Sequence, residues 1–278
     1  MDDHLVKFVV LSGPRTGSTL LASSLQSHPF IVCFREVFNF LTEYVPFDVD
    51  GYDNYDPDDL KRRNDDAAGF LDDRIFSGHA DSVRAAGLKI HYGQFIGFSG
   101  LQERLVEDGS IRIVHLKRRN HLRALVSAKK AEATGLFWQD AEARPMLPRL
   151  FHAARHPFRA ASGLRARLQR PKVGPAEGPL KMRVSPQELF DFIIKTNQQI
   201  RYHEDLFQAH QILDVFFEDM ADRPQEVFGD VQAFLGLDPT QLDISLRRQN
   251  PQPLDELIEN FEELREASQN SPNEFMFE

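Results

Sequence analysis

Between Leu11 and Pro29 the chain reads LSGPRTGSTLLASSLQSHP, a glycine-containing turn rich in hydroxyls that carries one cation, Arg15. Unpaired backbone N–H groups and the helix dipole make such a strand-to-helix turn an anion site. Pro14, Arg15, Thr16, Gly17, Ser18 and Thr19 are the residues that would surround the anion. An ATP-binding loop, GxxxxGK[ST], adds a lysine for the β- and γ-phosphates and a hydroxyl for magnesium. Here GPRTGST is one residue shorter, and Gly17 stands where that lysine belongs. No run of four apolar residues ending in Asp is evident, so a magnesium nucleotide is disfavoured and no metal is expected. The turn suits a terminal phosphate or sulfate, although the same residues also read as an ordinary strand-to-helix connection.

The elements around it point to an α/β fold. KFVVL (7–11), GLKIHY (87–92), IRIVHL (111–116) and the run from Ile212 to Phe217 are short apolar stretches that alternate with helical patterns. That alternation predicts a three-layer α/β/α arrangement with a central parallel sheet. Ser185, Pro186 and Glu188 form a capping box at a helix start, and a second helix is expected from about Asp222 to Leu235, closed by Gly236. A chain of 278 residues is read as one domain, with a basic, Pro- and Gly-interrupted insertion at about 139–182.

The net charge of −9 argues against a nucleic-acid coat protein. The charge is uneven: 48–73 is strongly acidic, whereas RIVHLKRRNHLRALVSAKK (112–130) contains no Asp or Glu and can attract an anion. The only cysteine, Cys33, sits in apolar FIVCF and reads as a buried strand residue. The N-terminus lacks a signal-peptide pattern and no apolar run reaches the roughly 20 residues of a membrane span. A cytoplasmic protein without an integral membrane segment is expected. His152 and His156 are four apart but lack an accompanying HExxH glutamate, and DVDGYDNYDPDD departs from the calcium-loop pattern, so the latter reads as a solvated acidic loop.

PRTGST resembles the 5′-phosphosulfate loop of sulfotransferases that use 3′-phosphoadenosine 5′-phosphosulfate (PAPS), in the carbohydrate-directed branch, where the pattern is RTGS. This family has a P-loop nucleotide-hydrolase-like fold. Its 3′-phosphate site is an Arg at a strand end and a Ser eight residues later, which RNHLRALVS matches with Arg119 and Ser127. Arg118 and Arg123 read either as solvated charges or as electrostatic support. Glu36, in FREVFNF, resembles the glutamate base of bacterial carbohydrate sulfotransferases, and Lys89, in GLKIHYGQF, resembles a lysine at the same station. Phe217 stands where Tyr is common. LRRQNPQPLDELIENFEELREA is similar to the nodulation-factor (lipochitooligosaccharide) sulfotransferases and adds Arg247 and Arg248 to the donor-binding residues.

The resemblance implies PAPS as donor, adenosine 3′,5′-bisphosphate (PAP) as product, and a carbohydrate or glycolipid hydroxyl as acceptor. Arg15 would stabilise the transferring group and Glu36 would take the acceptor proton. Lys89 would stabilise the bridging oxygen or pair with Glu36; the sequence leaves both open. Phe137 and Trp138 could stack on sugar rings or belong to the core. A P-loop kinase and a silent PAP-binding module remain alternatives. The oligomeric state is not legible.

Overall fold

The computed structural model describes residues 5–134, 181–244 and 251–277. In chain order the elements are β1 (Val6–Ser12), α1 (Ser18–Leu25), β2 (Ile31–Phe34), α2 (Pro57–Asp65), α3 (Ala67–Phe70), β3 (Ala85–His91), α4 (Leu101–Glu107), β4 (Arg112–Lys117) and α5 (His121–Thr134). After the undescribed stretch come α6 (Pro186–Leu206), β5 (Ile212–Phe216), α7 (Phe217–Asp222), α8 (Pro224–Phe234), α9 (Leu254–Leu257) and α10 (Phe261–Ser268).

The strands form one parallel sheet in the order β2-β3-β1-β4-β5. Parallel strands need crossovers, and helices on both faces bury the sheet twice, which is why its strands are apolar runs. On one face Val9, Leu11, Leu88 and Ile90 join a core with Phe34, Phe70 and Phe207. On the other, Phe8, Val10, Val114 and Leu116 pack against Leu21 of α1 and Phe228 of α8. A third cluster ties α5 and α6 to the C-terminal segment through Leu125, Leu189 and Leu257.

Chain connections leave β1 and β4 toward opposite edges, so the crevice of the sheet opens between these neighbours at the carboxyl ends of the strands. Local signals hold as expected elsewhere. Ser185 and Glu188 cap α6 reciprocally, and Gly236, at φ 80°, closes the turn after α8. The second expected helix is α8, Pro224–Phe234, with proline in its first turn; the short α7 ends just before it, at Asp222.

The acidic segment departs from expectation. It is not a solvated loop throughout, because Asp56 accepts a hydrogen bond from the Asp58 N–H and starts α2. The inner face of that helix buries Arg63. His152, His156, Phe137, Trp138 and most of the 139–182 insertion lie outside the described residues. Among the described residues no helix is long and apolar enough to cross a membrane.

Candidate active site

Every strand delivers something to the carboxyl edge. The turn after β1 runs through Gly13 to Gly17 and ends on the N-terminus of α1. Gly17 adopts φ 84°. A Cβ there would stand 2.5 Å from Cδ2 of Phe217, so the position demands glycine twice, by backbone and by space. Arg15 is itself in the left-handed region at φ 63°, and its carbonyl accepts from Arg118 Nη1 at 2.9 Å. Thr16 folds beneath the turn, donating to the Gly13 carbonyl at 2.9 Å, whereas Pro14, Arg15, Gly17, Ser18 and Thr19 face a cleft of about 930 Å³.

Glu36, just past β2, lines the same cleft. Lys89 and His91 alternate on β3 and therefore share one face of the strand. Both reach the same oxygen: Lys89 Nζ donates to Glu36 Oε1 at 2.6 Å, and His91 Nε2 lies 3.4 Å from it. Gln94 Nε2 donates to Oε2 at 3.1 Å. Lys89 also donates to Thr19 Oγ1 at 2.9 Å and so ties the acid to the first turn of α1. Burial alone would raise the Glu36 carboxyl, but the His91 hydrogen bond and the charges of Lys89 and His91 outweigh it and hold the group well below the ordinary carboxylate range. Lys89 is 1 % exposed; burial pulls its ammonium down and Glu36 opposes that pull.

The two sides feel each other. Burial lowers the Arg15 guanidinium and the Glu36 charge counteracts it; both residues line the same cleft. Arg15 Nε donates to Ser127 Oγ at 3.0 Å, joining the turn to α5.

The sequence expectations are thus partly gathered together. Arg15, Glu36 and Ser127 line the cleft and Lys89 buttresses it. Arg119 is placed differently: its guanidinium forms a bidentate pair with Asp219 at 2.7 and 2.8 Å over the Phe216 ring, and it is not part of the cleft wall. Its neighbours Arg118 and Arg123 are. Arg118 stacks on Phe217, 4.4 Å from the ring centroid, so Phe217 supports both the glycine turn and the cation. Arg247 and Arg248 lie outside the described residues, although Ile244 and Leu254 on either side of that stretch line the cleft.

His91 and Gln94 were not singled out by sequence reading. The signal for His91 was present in the Lys-x-His alternation on a strand, which puts both side chains on one face. No local pattern marks Gln94 as a partner of a residue 58 positions away. His115, Glu204 and Asp214 also converge, with ligand-type atoms within 4.8 Å. The Lys117 ammonium lies 2.5 and 2.8 Å from the two carboxylates and supplies the cation there.

A sequence model described as the Sulfotransferase family matches residues 8–241. Nodulation protein H of Rhizobium tropici is 24 % identical over 276 residues, covering 98 % of this chain and 92 % of its own. Nodulation protein H of Rhizobium meliloti (strain 1021) is 26 % identical over 283 residues, with 98 % and 94 % coverage. The crystal structure of a sulfotransferase from Alicyclobacillus acidocaldarius superposes with a TM-score of 0.48 at 18 % identity, covering 98 % of this chain and 93 % of that one.

Proposed function

The chain belongs to the sulfotransferase family, and on that premise we propose that it moves the sulfuryl group of PAPS to a hydroxyl of a carbohydrate or glycolipid acceptor. The observation that carries this reading is the meeting, across one cleft, of an anion turn bearing Arg15 with a carboxylate held ionised by Lys89 and His91. The turn and the start of α1 would hold the 5′-phosphosulfate through backbone donors and the Ser18 and Thr19 hydroxyls. Ser127 would hold the 3′-phosphate with Arg118 and Arg123; Arg119 would join only by leaving Asp219. Arg247 and Arg248 would complete the donor site from the stretch between Ile244 and Leu254.

In-line transfer then needs charge stabilisation at the departing phosphate and a proton acceptor for the attacking hydroxyl. Arg15 serves the first need and Glu36 the second. Lys89, buried between Glu36 and Thr19, keeps the carboxylate ionised and oriented. His91 Nε2 lies 3.4 Å from the Glu36 oxygen that Lys89 also contacts, and its Nδ1 lies 3.1 Å from the hydroxyl of buried Ser12, so both ring nitrogens are engaged and His91 serves to orient the carboxylate. The carbohydrate acceptor is supported by likeness to two nodulation proteins H.

The test is an acceptor screen with isotopically labelled PAPS, read by mass spectrometry, alongside thermal shifts with PAP and ADP. Label transfer to a glycan or glycolipid hydroxyl and a larger shift with PAP are expected. Equal shifts, or a better yield on simple phenols, would count against the assignment. His91→Asn and Glu36→Gln, assayed side by side, test the proton step: losing the carboxylate should cost far more turnover than losing the residue that orients it.

A further inference from the structure

Arg63 is the largest fully buried side chain of the described residues, 1 % exposed, and it lies in the acidic stretch for which the site so far has no use. A buried guanidinium normally finds a carboxylate. This one takes part in none of the ion pairs of the described residues, and burial alone lowers it. Its partners are carbonyls. Nη1 donates to Val37 O at 3.1 Å, Tyr44 O at 3.1 Å and Asn39 O at 3.4 Å, and Nη2 donates to Thr42 O at 3.4 Å. Nε and Nη2 both reach Asn64 Oδ1 at 3.0 Å, and the guanidinium carbon sits 5.3 Å from the centroid of Phe98.

All four carbonyls belong to the loop that begins one residue after Glu36. The same loop supplies Asn39, Phe40, Leu41, Thr42 and Tyr44 to the cleft. The loop's other ties are short-range, among them Asn39 N–H to Glu36 O at 2.9 Å, Thr42 N–H to Asn39 O at 3.3 Å, the Thr42 hydroxyl to Asn39 O and Tyr44 O at 2.8 and 2.7 Å, Leu41 N–H to Asn39 Oδ1 at 3.1 Å and Asn39 Nδ2 to Glu36 Oε2 at 3.5 Å; among the described residues only Arg63 reaches the loop from a separate helix at four carbonyls. A planar five-donor fork can satisfy carbonyls on several sides from a single buried point.

We infer that Arg63 is the positioning residue of the acceptor side: by gathering the carbonyls of Val37, Asn39, Thr42 and Tyr44 it sets the wall that receives the acceptor and the approach of that acceptor to Glu36. The role rests on the sulfotransferase reading above. It touches neither donor nor acceptor, and its contacts avoid the Gly13–Thr19 turn, so it separates acceptor use from donor binding.

Arg63→Lys and Arg63→Met test it. Lysine keeps the charge but, as a compact ammonium, cannot serve carbonyls on both sides of the fork; methionine removes every donor and leaves buried carbonyls unpaired. With N-acetylchitotetraose, or failing it the best hydroxyl acceptor of the labelled-PAPS screen, Arg63→Lys should raise acceptor KM about tenfold or more, since small misplacements near a reacting group are costly. PAP affinity should stay within about twofold, as for a site without shared contacts. Hydrogen exchange should quicken at the amides of Phe38 to Tyr44 and not in β1. If Arg63→Met does not fold, Arg63→Lys alone carries the test. Arg63→Lys with faster exchange but unchanged KM and kcat overturns the role and leaves a merely structural residue. Loss of PAP binding in step with acceptor KM overturns it too. A wild-type protein that transfers no sulfuryl group to any acceptor overturns the reading of the site and this role with it.

Discussion

The turn proposed to hold the donor and the wall proposed to receive the acceptor line one cleft and are held in opposite ways. The turn, Gly13 to Thr19, is contiguous in sequence and shaped by its own backbone: two positive-φ residues, a hydroxyl folded under the bend, and the N-terminus of α1. The wall, Val37 to Tyr44, has little regular structure and takes its shape from a guanidinium 19 to 26 residues further along the chain. A self-shaped turn can be carried as a motif. A wall held from outside can vary its exposed side chains while its backbone stays clasped, which suits the side of an enzyme that must choose an acceptor.

The largest expected effect lies between the two regions. Glu36→Gln should lower turnover by roughly two or more orders of magnitude if the carboxylate takes the proton, with PAP affinity nearly unchanged in calorimetry. The same change leaves Lys89 buried without its partner, costing at the lower end of about 3–5 kcal/mol because Glu36 is part-exposed. It should also alter acid stability. A carboxyl whose folded value is depressed contributes stability that is complete above its unfolded value of about 4.3 and is lost as pH falls toward the folded one. Denaturation midpoints should therefore drop less steeply below about pH 4 in Glu36→Gln than in the wild type. Unchanged turnover would remove Glu36 from the proton step.

Gly17→Ala attacks the turn alone. The left-handed backbone costs a side chain about 1–2 kcal/mol, and the Phe217 ring adds a clash, so PAP should bind about tenfold more weakly or worse. Combining it with Phe217→Ala should recover the steric share and not the backbone share. Full recovery would show that the φ of Gly17 is not what matters.

Among the arginines the effects are smaller and ordered. Arg118→Ala removes a cleft-facing charge and the donor to the Arg15 carbonyl, and should cut the preference for PAP over ADP about tenfold, as loss of a charge-assisted contact does. Arg119→Ala breaks a half-exposed pair with Asp219, and should change that preference by no more than about threefold. The reverse order would mean that Arg119 leaves Asp219 for the nucleotide. Smallest of all, Cys33 is buried and its thiol is pushed up to about 12 by burial, so thiol reagents should label it only as fast as the protein unfolds.

What the sequence determined by itself is what short-range physics encodes. Apolar runs gave the strands, Ser185 and Glu188 a helix start, and the Gly13 to Gly17 stretch a strand-to-helix turn, because strand alternation, caps and left-handed glycines act within a few residues. Resemblance added Glu36 and Lys89 as stations. Only the tertiary structure decided how they meet: Lys89 with Glu36 across 53 positions and Arg15 with Ser127 across 112. It likewise decided that Arg118 rather than Arg119 faces the cleft, since adjacent residues at a strand end are equal in any pattern until Asp219 and Phe217 arrive from α7 to claim one each. Arg63 was hidden for the same reason. In an acidic stretch a basic residue reads as a solvated charge, and only folding shows that main-chain carbonyls from another segment have taken the place of its water.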